Sequence, residues 1–128
     1  MAWSRKKILA RLGQYLENKQ IPFEYDEEEY RIKLDLFFNN LGYMLYPYIT
    51  IEDSLCSINI NVSEHSLKGF NYERMNGFNK ISKFFKAFLT EEGIVCLEYR
   101  FIMNELDSYT FDKILDSLYA VEAIIDTL

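Results

Sequence analysis

The sequence predicts one α+β domain in which helices pack on one face of an antiparallel β-sheet. Segments with alternating apolar residues follow one another through short turns, which is typical of antiparallel strands. Apolar residues at helical spacing occur at the start, in the middle and at the end of the chain. The predicted order is helix, strand meander, helix, hairpin, helix, and this order favours an antiparallel sheet over parallel βαβ units.

The chain has the length and composition of a single domain spanning residues 1–128. Apolar residues make up 49% of its 128 residues and charged residues 27%, so it has enough apolar material to form one core. Cys56 and Cys96 form neither a CxxC pair nor a metal motif, and we expect two reduced, packed thiols.

The first half of the chain predicts a helix followed by a strand meander. Ser4 can cap a helix that runs to Asn18 and places Ile8, Leu9, Leu12 and Leu16 on one side. A short strand at 23–26 turns through Glu27, Glu28 and Glu29 into an alternating strand from Tyr30 to Phe38. Asn39 and Asn40 end that strand.

The segment from Tyr43 to Glu52 is apolar on both of its predicted faces, whereas only one face can meet the helices of the domain. Pro47 lacks the N–H that a sheet ladder needs, which predicts a bulge or an edge position there. The next strand, 55–62, alternates Cys56, Ile58, Ile60 and Val62.

The second half predicts a helix, a hairpin and a final helix. Asn71 can cap a helix that buries Tyr72, Met75 and Phe78. A hairpin joins 84–89 to 93–103 through Thr90, Glu91 and Glu92, with Val95, Leu97, Tyr99 and Phe101 directed inward. After Ser108 a broad apolar helical stripe packs on the sheet and comprises Phe111, Ile114, Leu115, Leu118, Val121, Ile125 and Leu128.

A motif from Met75 onward, M-N-G-F-N-K-I-S-K-F-F-K-A-F-L-T-E-E-G-I-V-C-L-E-Y, resembles the YbjN family, described as bacterial sensory transduction regulators. The first helix followed by I-P-F-E-Y-D is similar to the opening of that family. The resemblance implies the fold of class I type III secretion chaperones, often dimeric, with apolar surface that holds an extended partner segment. Asn76 and Asn79 match paired Asn residues of the family, which we interpret as helix-ending caps rather than partner contacts.

Charge and motif content argue against several function classes. The net charge is −6, and a nucleic-acid-binding protein needs a basic stripe. The N-terminus lacks the apolar segment of a signal peptide, and no stretch is long and apolar enough to span a bilayer, so we expect a cytoplasmic protein without membrane contact. His65 stands alone, and phosphate-loop, dinucleotide and zinc-hydrolase motifs are absent, so we expect neither an enzyme nor a cofactor.

Two charged segments of the sequence also need an interpretation. The carboxylate run Glu24–Glu29 lacks calcium-loop spacing and predicts a solvated turn. Arg5, Lys6, Lys7 and Arg11 lie at the start of the first helix, where the helix dipole disfavours cations. We expect these cations to keep the helix end soluble, and the alternative is contact with acidic residues of a partner. A catalytic role built on Glu98 is the weakest hypothesis.

The leading functional hypothesis is a non-enzymatic protein-binding module, either chaperone-like or a regulatory adaptor. It predicts that Phe37, Met44, Tyr46 and Tyr48 line the sheet face opposite the helices and contact a client peptide or a second copy of the chain. The alternative is an acidic immunity-type inhibitor of a basic toxin or nuclease, which would act through Glu27, Glu28 and Glu29.

Overall fold

A computed structural model describes residues 4–38, 42–53, 55–62, 71–102 and 108–128. Its helices are α1 (Arg5–Asn18), α2 (Tyr72–Ile81) and α3 (Ser108–Ile124), the last continued by a 3₁₀ turn, Ile125–Thr127. Its strands are β1 (Phe23–Asp26), β2 (Arg31–Leu34), β3 (Leu36–Phe38), β4 (Tyr43–Leu45), β5 (Tyr48–Glu52), β6 (Leu55–Val62), β7 (Lys86–Leu89) and β8 (Val95–Ile102). His65, Asn39 and Asn40 lie outside the described residues, as does the segment 63–70 that precedes α2.

Six strands form one antiparallel sheet in the order β1-β2-β5-β6-β8-β7. The predicted fold class is confirmed, because the elements follow one another as helix, meander, helix, hairpin and helix. Strands β1 and β7 form the two edges of this sheet.

One face of the sheet carries the core. Ile32, Ile49, Ile58 and Tyr99 are successive cross-strand neighbours, and the first three side chains are fully buried. The apolar sides of α1 and α3 join the same cluster, which contains every residue predicted for their stripes. Because side chains alternate along a strand, the residues between these positions occupy the opposite face, called here the open face.

The strand predicted from Tyr30 to Phe38 and the one predicted from Tyr43 to Glu52 are both interrupted. Leu36 pairs with Leu45 and Lys33 pairs with Tyr48, so the register runs unbroken through the interruption. Pro47 accepts a hydrogen bond from the Leu34 N–H at 2.9 Å but has no N–H to return. Pro47 therefore marks the junction between the main sheet and the two-stranded extension β3-β4. Of the two predicted alternatives, the bulge is wrong, because the register is unbroken there.

Helix α2 begins where the sequence predicts and packs less deeply than expected. Asn71 is its N-cap and accepts a hydrogen bond from the Arg74 N–H at 2.8 Å. Phe78 is fully buried, but Tyr72 is 67% exposed, so its predicted burial is wrong. Tyr72 lies in the first turn of α2. The strands of the following hairpin are shorter than predicted, because Phe84 and Phe85 precede β7 rather than form part of it.

Candidate functional site

The open face carries two of the residues predicted to bind a partner. Tyr48 lies in β5 opposite Lys33, and the Arg31 guanidinium lies 4.8 Å from its ring centroid. Tyr46 is 48% exposed, with the Lys33 amino group 5.4 Å from its ring centroid. Each tyrosine ring is thus paired with a cation, an arrangement that contributes about 0.5–1 kcal/mol at an exposed site.

The other two predicted residues, Phe37 and Met44, are direct cross-strand partners in the β3-β4 extension. Their side chains lie outside the described residues. The strand register places these two residues farther along the hairpin that also contains Tyr46 and Tyr48.

Polar and charged residues dominate the described part of the open face. Across its middle run Glu24, Lys33, Tyr48, Asn59, Glu98 and Lys86. The Lys33 amino group lies 3.2 Å from a Glu24 carboxylate oxygen, and Arg100 donates to Glu52 at 2.9 Å. The exposed apolar side chains Phe88 and Ile102 lie at separate corners. The broad apolar surface that the sequence predicts is therefore not continuous over the described residues.

The hydrogen-bond pattern shows which backbone groups of β1 point away from the sheet. Asp35 donates its N–H to the Pro22 carbonyl at 3.1 Å, so Pro22 and Asp35 form a hydrogen-bonded pair. Because such pairs alternate along an antiparallel ladder, Glu24 and Asp26 bond to β2 and Phe23 and Tyr25 point outward. Over the described ranges, no strand or other backbone group bonds to these outward groups, and β1 is an edge strand of the sheet.

A cleft of about 420 Å³ lies beside this edge, between α1 and the turn that joins β1 to β2. Its apolar wall consists of Leu9, Ala10, Tyr25 and Tyr30, and Lys6, Glu27 and Glu28 supply charges of both signs. The predicted solvated turn is confirmed for Glu27, Glu28 and Glu29, which are exposed in the turn after β1. Within the same run Asp26 pairs with Arg31, and Glu27 and Glu28 also line the cleft.

Gly13 shapes the wall of this cleft. A Cβ built at Gly13 would lie 1.6 Å from the Tyr25 hydroxyl oxygen and 2.6 Å from its Cζ. The Tyr25 ring can therefore rest directly on the α1 backbone, and it meets the Phe23 ring edge-on at 5.1 Å. Burial against α1, together with Glu17 and Glu27, raises the pKa of the Tyr25 hydroxyl.

Tyr30 closes the cleft from the turn side. Its φ is 50°, a left-handed conformation that is unfavourable for a bulky side chain. The Arg5 guanidinium lies 4.1 Å from the Tyr30 ring centroid and 3.9 Å from an Asp53 carboxylate oxygen. Arg5, one of the cations predicted to oppose the helix dipole, thus contacts an aromatic ring and a carboxylate within the domain.

The second edge, β7, is closed by the end of α2. Asn79 donates from Nδ2 to the Ala87 carbonyl at 3.1 Å and accepts from the Ala87 N–H at 2.7 Å. The Ser82 hydroxyl donates to the Phe85 carbonyl at 2.5 Å. Neither Asn76 nor Asn79 is a helix cap, because α2 continues to Ile81 and its C-cap is Ser82, so the predicted capping role is wrong at both positions.

The described residues offer little to nucleophilic or metal chemistry. Both cysteines are free and buried, and burial raises the pKa of the Cys56 thiol to about 12 and also raises that of Cys96. Thiols held protonated in this way are poor nucleophiles. Over the described ranges, no group of three or more His, Cys, Asp or Glu residues could hold a metal ion, and no helix is long and apolar enough to cross a membrane.

The sequence predicts β1 correctly as a strand but not its role. The sequence places Phe23 and Tyr25 in a short strand and Tyr30 at the start of the next one, but it does not show which strand lies at an edge, because edge position depends on the strand order of the whole sheet. The only local sign is Pro22, since proline favours edges and strand starts.

Comparison with known proteins supports the fold and leaves the family open. No family model matches the chain, and no curated protein sequence does, so the resemblance to the YbjN family stays a prediction. Among solved structures, the chain is similar to a chain of the ExsC–ExsE complex, with a TM-score of 0.67, 15% identity, and coverage of 97% of this chain and 94% of that one.

A chain of the HopA1–SchA chaperone–effector complex is similar with a TM-score of 0.64 and 9% identity. That match covers 98% of this chain and 99% of the other. At these identities the similarity shows the fold alone. It extends over nearly the full length of both chains that are compared. The chain therefore has the α+β fold of type III secretion chaperones.

Proposed function

We propose that this chain is a non-enzymatic, chaperone-like protein-binding module that holds an extended segment of a partner protein as an added strand along β1. The observation that carries the proposal is the unpaired edge of β1 beside a largely apolar cleft. Strand addition at an exposed edge is a general mode of peptide recognition, in which backbone bonds give affinity and pockets for alternate side chains give specificity.

The two parts of the site supply these two contributions. Phe23 and Tyr25 each present an N–H and a carbonyl to the incoming backbone. The cleft can accept an apolar side chain of the partner between Leu9 and Tyr30, while Lys6 and Glu27 can contact polar groups at its rim. The contact between Tyr25 and Gly13 holds one wall of the cleft in place.

The structural neighbours support a protein partner. Both were solved as complexes of two proteins, and one of these is a chaperone with its effector. The comparisons give no support to the alternative of an acidic inhibitor of a basic toxin or nuclease. A regulatory adaptor role, a bacterial source and a cytoplasmic location accompany the proposal as predictions from the sequence.

The open-face residues remain a second proposed contact surface. Tyr46 and Tyr48, with Phe37 and Met44 in the same hairpin, are the residues that we propose for contact with a second copy or with a further part of the client. The cations beside Tyr46 and Tyr48 favour a partner surface that includes carboxylates or aromatic rings.

The test is selection of peptides from a phage-displayed library of random dodecamers on the immobilised wild-type chain. We expect enriched peptides with alternating apolar residues. Tyr25→Pro removes an outward N–H without breaking a bond to β2, and we expect it to weaken the selected peptides by about tenfold, which corresponds to about 1.4 kcal/mol for a lost bond plus a steric block.

The matched control is Tyr25→Val, which removes the ring and keeps the N–H. Peptides that use both the edge and the cleft should lose affinity in both variants, whereas a peptide that uses the edge alone should lose it only in Tyr25→Pro. Failure to enrich any peptide above background, or equal affinity for wild type and Tyr25→Pro, would show that β1 is not the binding edge.

A further inference from the structure

We propose that Glu24 is a specificity-determining residue of the β1 edge, and that the partner segment carries a Lys or Arg residue opposite it. The proposal rests on the strand addition proposed above and names the chemistry of the added strand. An apolar residue of that strand lies beside the cleft, and the basic residue next to it in sequence lies beside Glu24.

Glu24 and Tyr25 are directed to opposite sides of the edge. Tyr25 pairs with Ile32, which is fully buried on the core face, and its ring lines the cleft. Glu24 pairs with Lys33, so its carboxylate lies on the open face. Because side chains alternate along a strand, a partner residue opposite Tyr25 faces the cleft, and its neighbour in sequence, opposite Glu24, faces the carboxylate.

The hydrogen-bond pattern brings the partner side chain opposite Glu24 close to the carboxylate. Every strand pair of the main sheet is antiparallel, and an added strand that continues this pattern bonds to the outward groups of Phe23 and Tyr25. The residue opposite Glu24 then forms a non-hydrogen-bonded pair with it. In such pairs the Cα atoms lie about 4.5 Å apart and the side chains approach more closely than in hydrogen-bonded pairs.

Glu24 is the carboxylate of β1 that can accept a further cation. Its side chain is 69% exposed, and Lys33 is the one described residue that forms an ion pair with it, through Oε2 at 3.2 Å. Asp26, the other open-face carboxylate of β1, uses both of its oxygens. Its Oδ1 accepts from the Glu29 N–H at 3.3 Å, and its Oδ2 accepts from Arg31 at 3.4 Å.

The charges around the edge favour a basic residue at this position. Burial raises the pKa of Tyr25, and the carboxylates of Glu17 and Glu27 raise it further, so the field at the ring is negative as well. Opposite charges directly across a strand pair are favourable, and like charges are unfavourable. A neutral partner residue would cover part of Glu24 without replacing its contacts with water. A Lys or Arg residue replaces them.

The test uses three synthetic peptides that alternate leucine with serine and differ only at the position directly after the central leucine. That position holds lysine, serine or glutamate. Their affinities for the wild-type chain are measured by isothermal titration calorimetry. We expect the lysine peptide to bind about tenfold more tightly than the glutamate peptide, with the serine peptide between them, because a favourable pair replaces a like-charge pair.

Two variants at Glu24 and one matched control assign this difference to a residue. In Glu24→Gln the lysine and glutamate peptides should differ by less than about threefold, and in Glu24→Lys the glutamate peptide should bind most tightly. Glu52 provides the control, because it also forms an ion pair on the open face, with Arg100 at 2.9 Å, and β2 separates its strand β5 from β1. Glu52→Gln removes the same charge and should keep the wild-type order of affinities.

The outcomes separate this proposal from the one on which it rests. Equal affinity of the wild type for all three peptides would overturn the role of Glu24 and leave strand addition at β1 standing. The same loss of discrimination in Glu52→Gln would also overturn it, because net charge alone would then account for the difference. Binding of none of the three peptides would overturn both proposals. If Glu24→Lys does not fold, Glu24→Gln decides, and an unchanged advantage of the lysine peptide there overturns the proposal.

Discussion

Gly13→Ala tests whether the Tyr25 ring depends on the bare backbone of α1. Alanine is favoured over glycine inside a helix by about 1 kcal/mol, so the substitution alone should stabilise α1. The added Cβ, however, would lie 1.6 Å from the Tyr25 hydroxyl oxygen, a distance that no structure tolerates. The ring must therefore leave its position on the helix.

The cost of that movement follows from the exposure of the ring. Tyr25 is 47% exposed, so roughly half of the 1.5–3 kcal/mol for burying a large side chain is at stake, about 1 kcal/mol. The edge-on contact with Phe23 at 5.1 Å contributes about 0.5–1.5 kcal/mol more. The loss of about 1.5–2.5 kcal/mol exceeds the helix gain of about 1 kcal/mol, and we expect Gly13→Ala to lower the free energy of unfolding by about 0.5–1.5 kcal/mol.

Gly77 provides the matched control, because it is the helical glycine of α2 and no described atom lies within 4 Å of a Cβ built there. Gly77→Ala should raise the free energy of unfolding by about 1 kcal/mol, so urea titration should separate the two variants by about 1.5–2.5 kcal/mol. NMR spectra should also show altered ring-proton shifts for Phe23 in Gly13→Ala and unaltered ones in Gly77→Ala. Equal stabilisation by both substitutions, with the Phe23 shifts unmoved, would refute this account of the cleft wall.

Two further predictions concern the helix pair and the open face. Tyr15 on α1 donates a hydrogen bond to the Asp112 carboxylate on α3, so Tyr15→Phe should cost about 1–2 kcal/mol in urea titration. Burial and the bond to Asp112 raise the pKa of Tyr15 in the folded state. The stability that Tyr15 contributes is therefore complete below the unfolded pKa of about 10 and is lost as the pH rises above that value. A stability difference between wild type and Tyr15→Phe that stays constant up to pH 11 would contradict this. Light scattering should show a dimer for the wild type and a folded monomer for the double variant Tyr46→Glu, Tyr48→Glu. Ile102→Glu, at another corner of the open face, is the control. Identical masses for wild type and the double variant would contradict self-association through these tyrosines.

The elements that the sequence predicts best are those whose burial depends on local periodicity. The α1 stripe, the Cys56 to Val62 alternation of β6 and the α3 stripe are all buried as predicted. The burial prediction fails for Tyr72. Its spacing matches the apolar stripe of α2, but the helix contacts the sheet chiefly through its C-terminal end. Periodicity states which residues share a side and does not state how much of that side a neighbour covers.

The candidate site could be predicted only in part for a related reason. Tyr46 and Tyr48 lie on the predicted face, but the cations beside them come from β2, and their placement depends on the β2-β5 register. The role of Asn79 likewise depends on a hydrogen bond with Ala87, eight residues later in the chain, which a helix-cap pattern does not predict. Edge position, cross-strand neighbours and side-chain closure of a strand are properties of the assembled sheet.

The short length of the edge strand β1 determines which part of the site selects the partner. Only Phe23 and Tyr25 point outward from β1, so an added strand gains up to four backbone bonds, roughly 1 kcal/mol each. Ordering about four residues of a flexible segment costs roughly 1–2 kcal/mol per residue, which offsets that gain. Net affinity must then come from side chains, and one apolar residue buried in the cleft contributes about 1.5–3 kcal/mol. A partner whose apolar residue misses the cleft should therefore not be held, and the cleft beside β1, rather than the backbone of β1, selects the client.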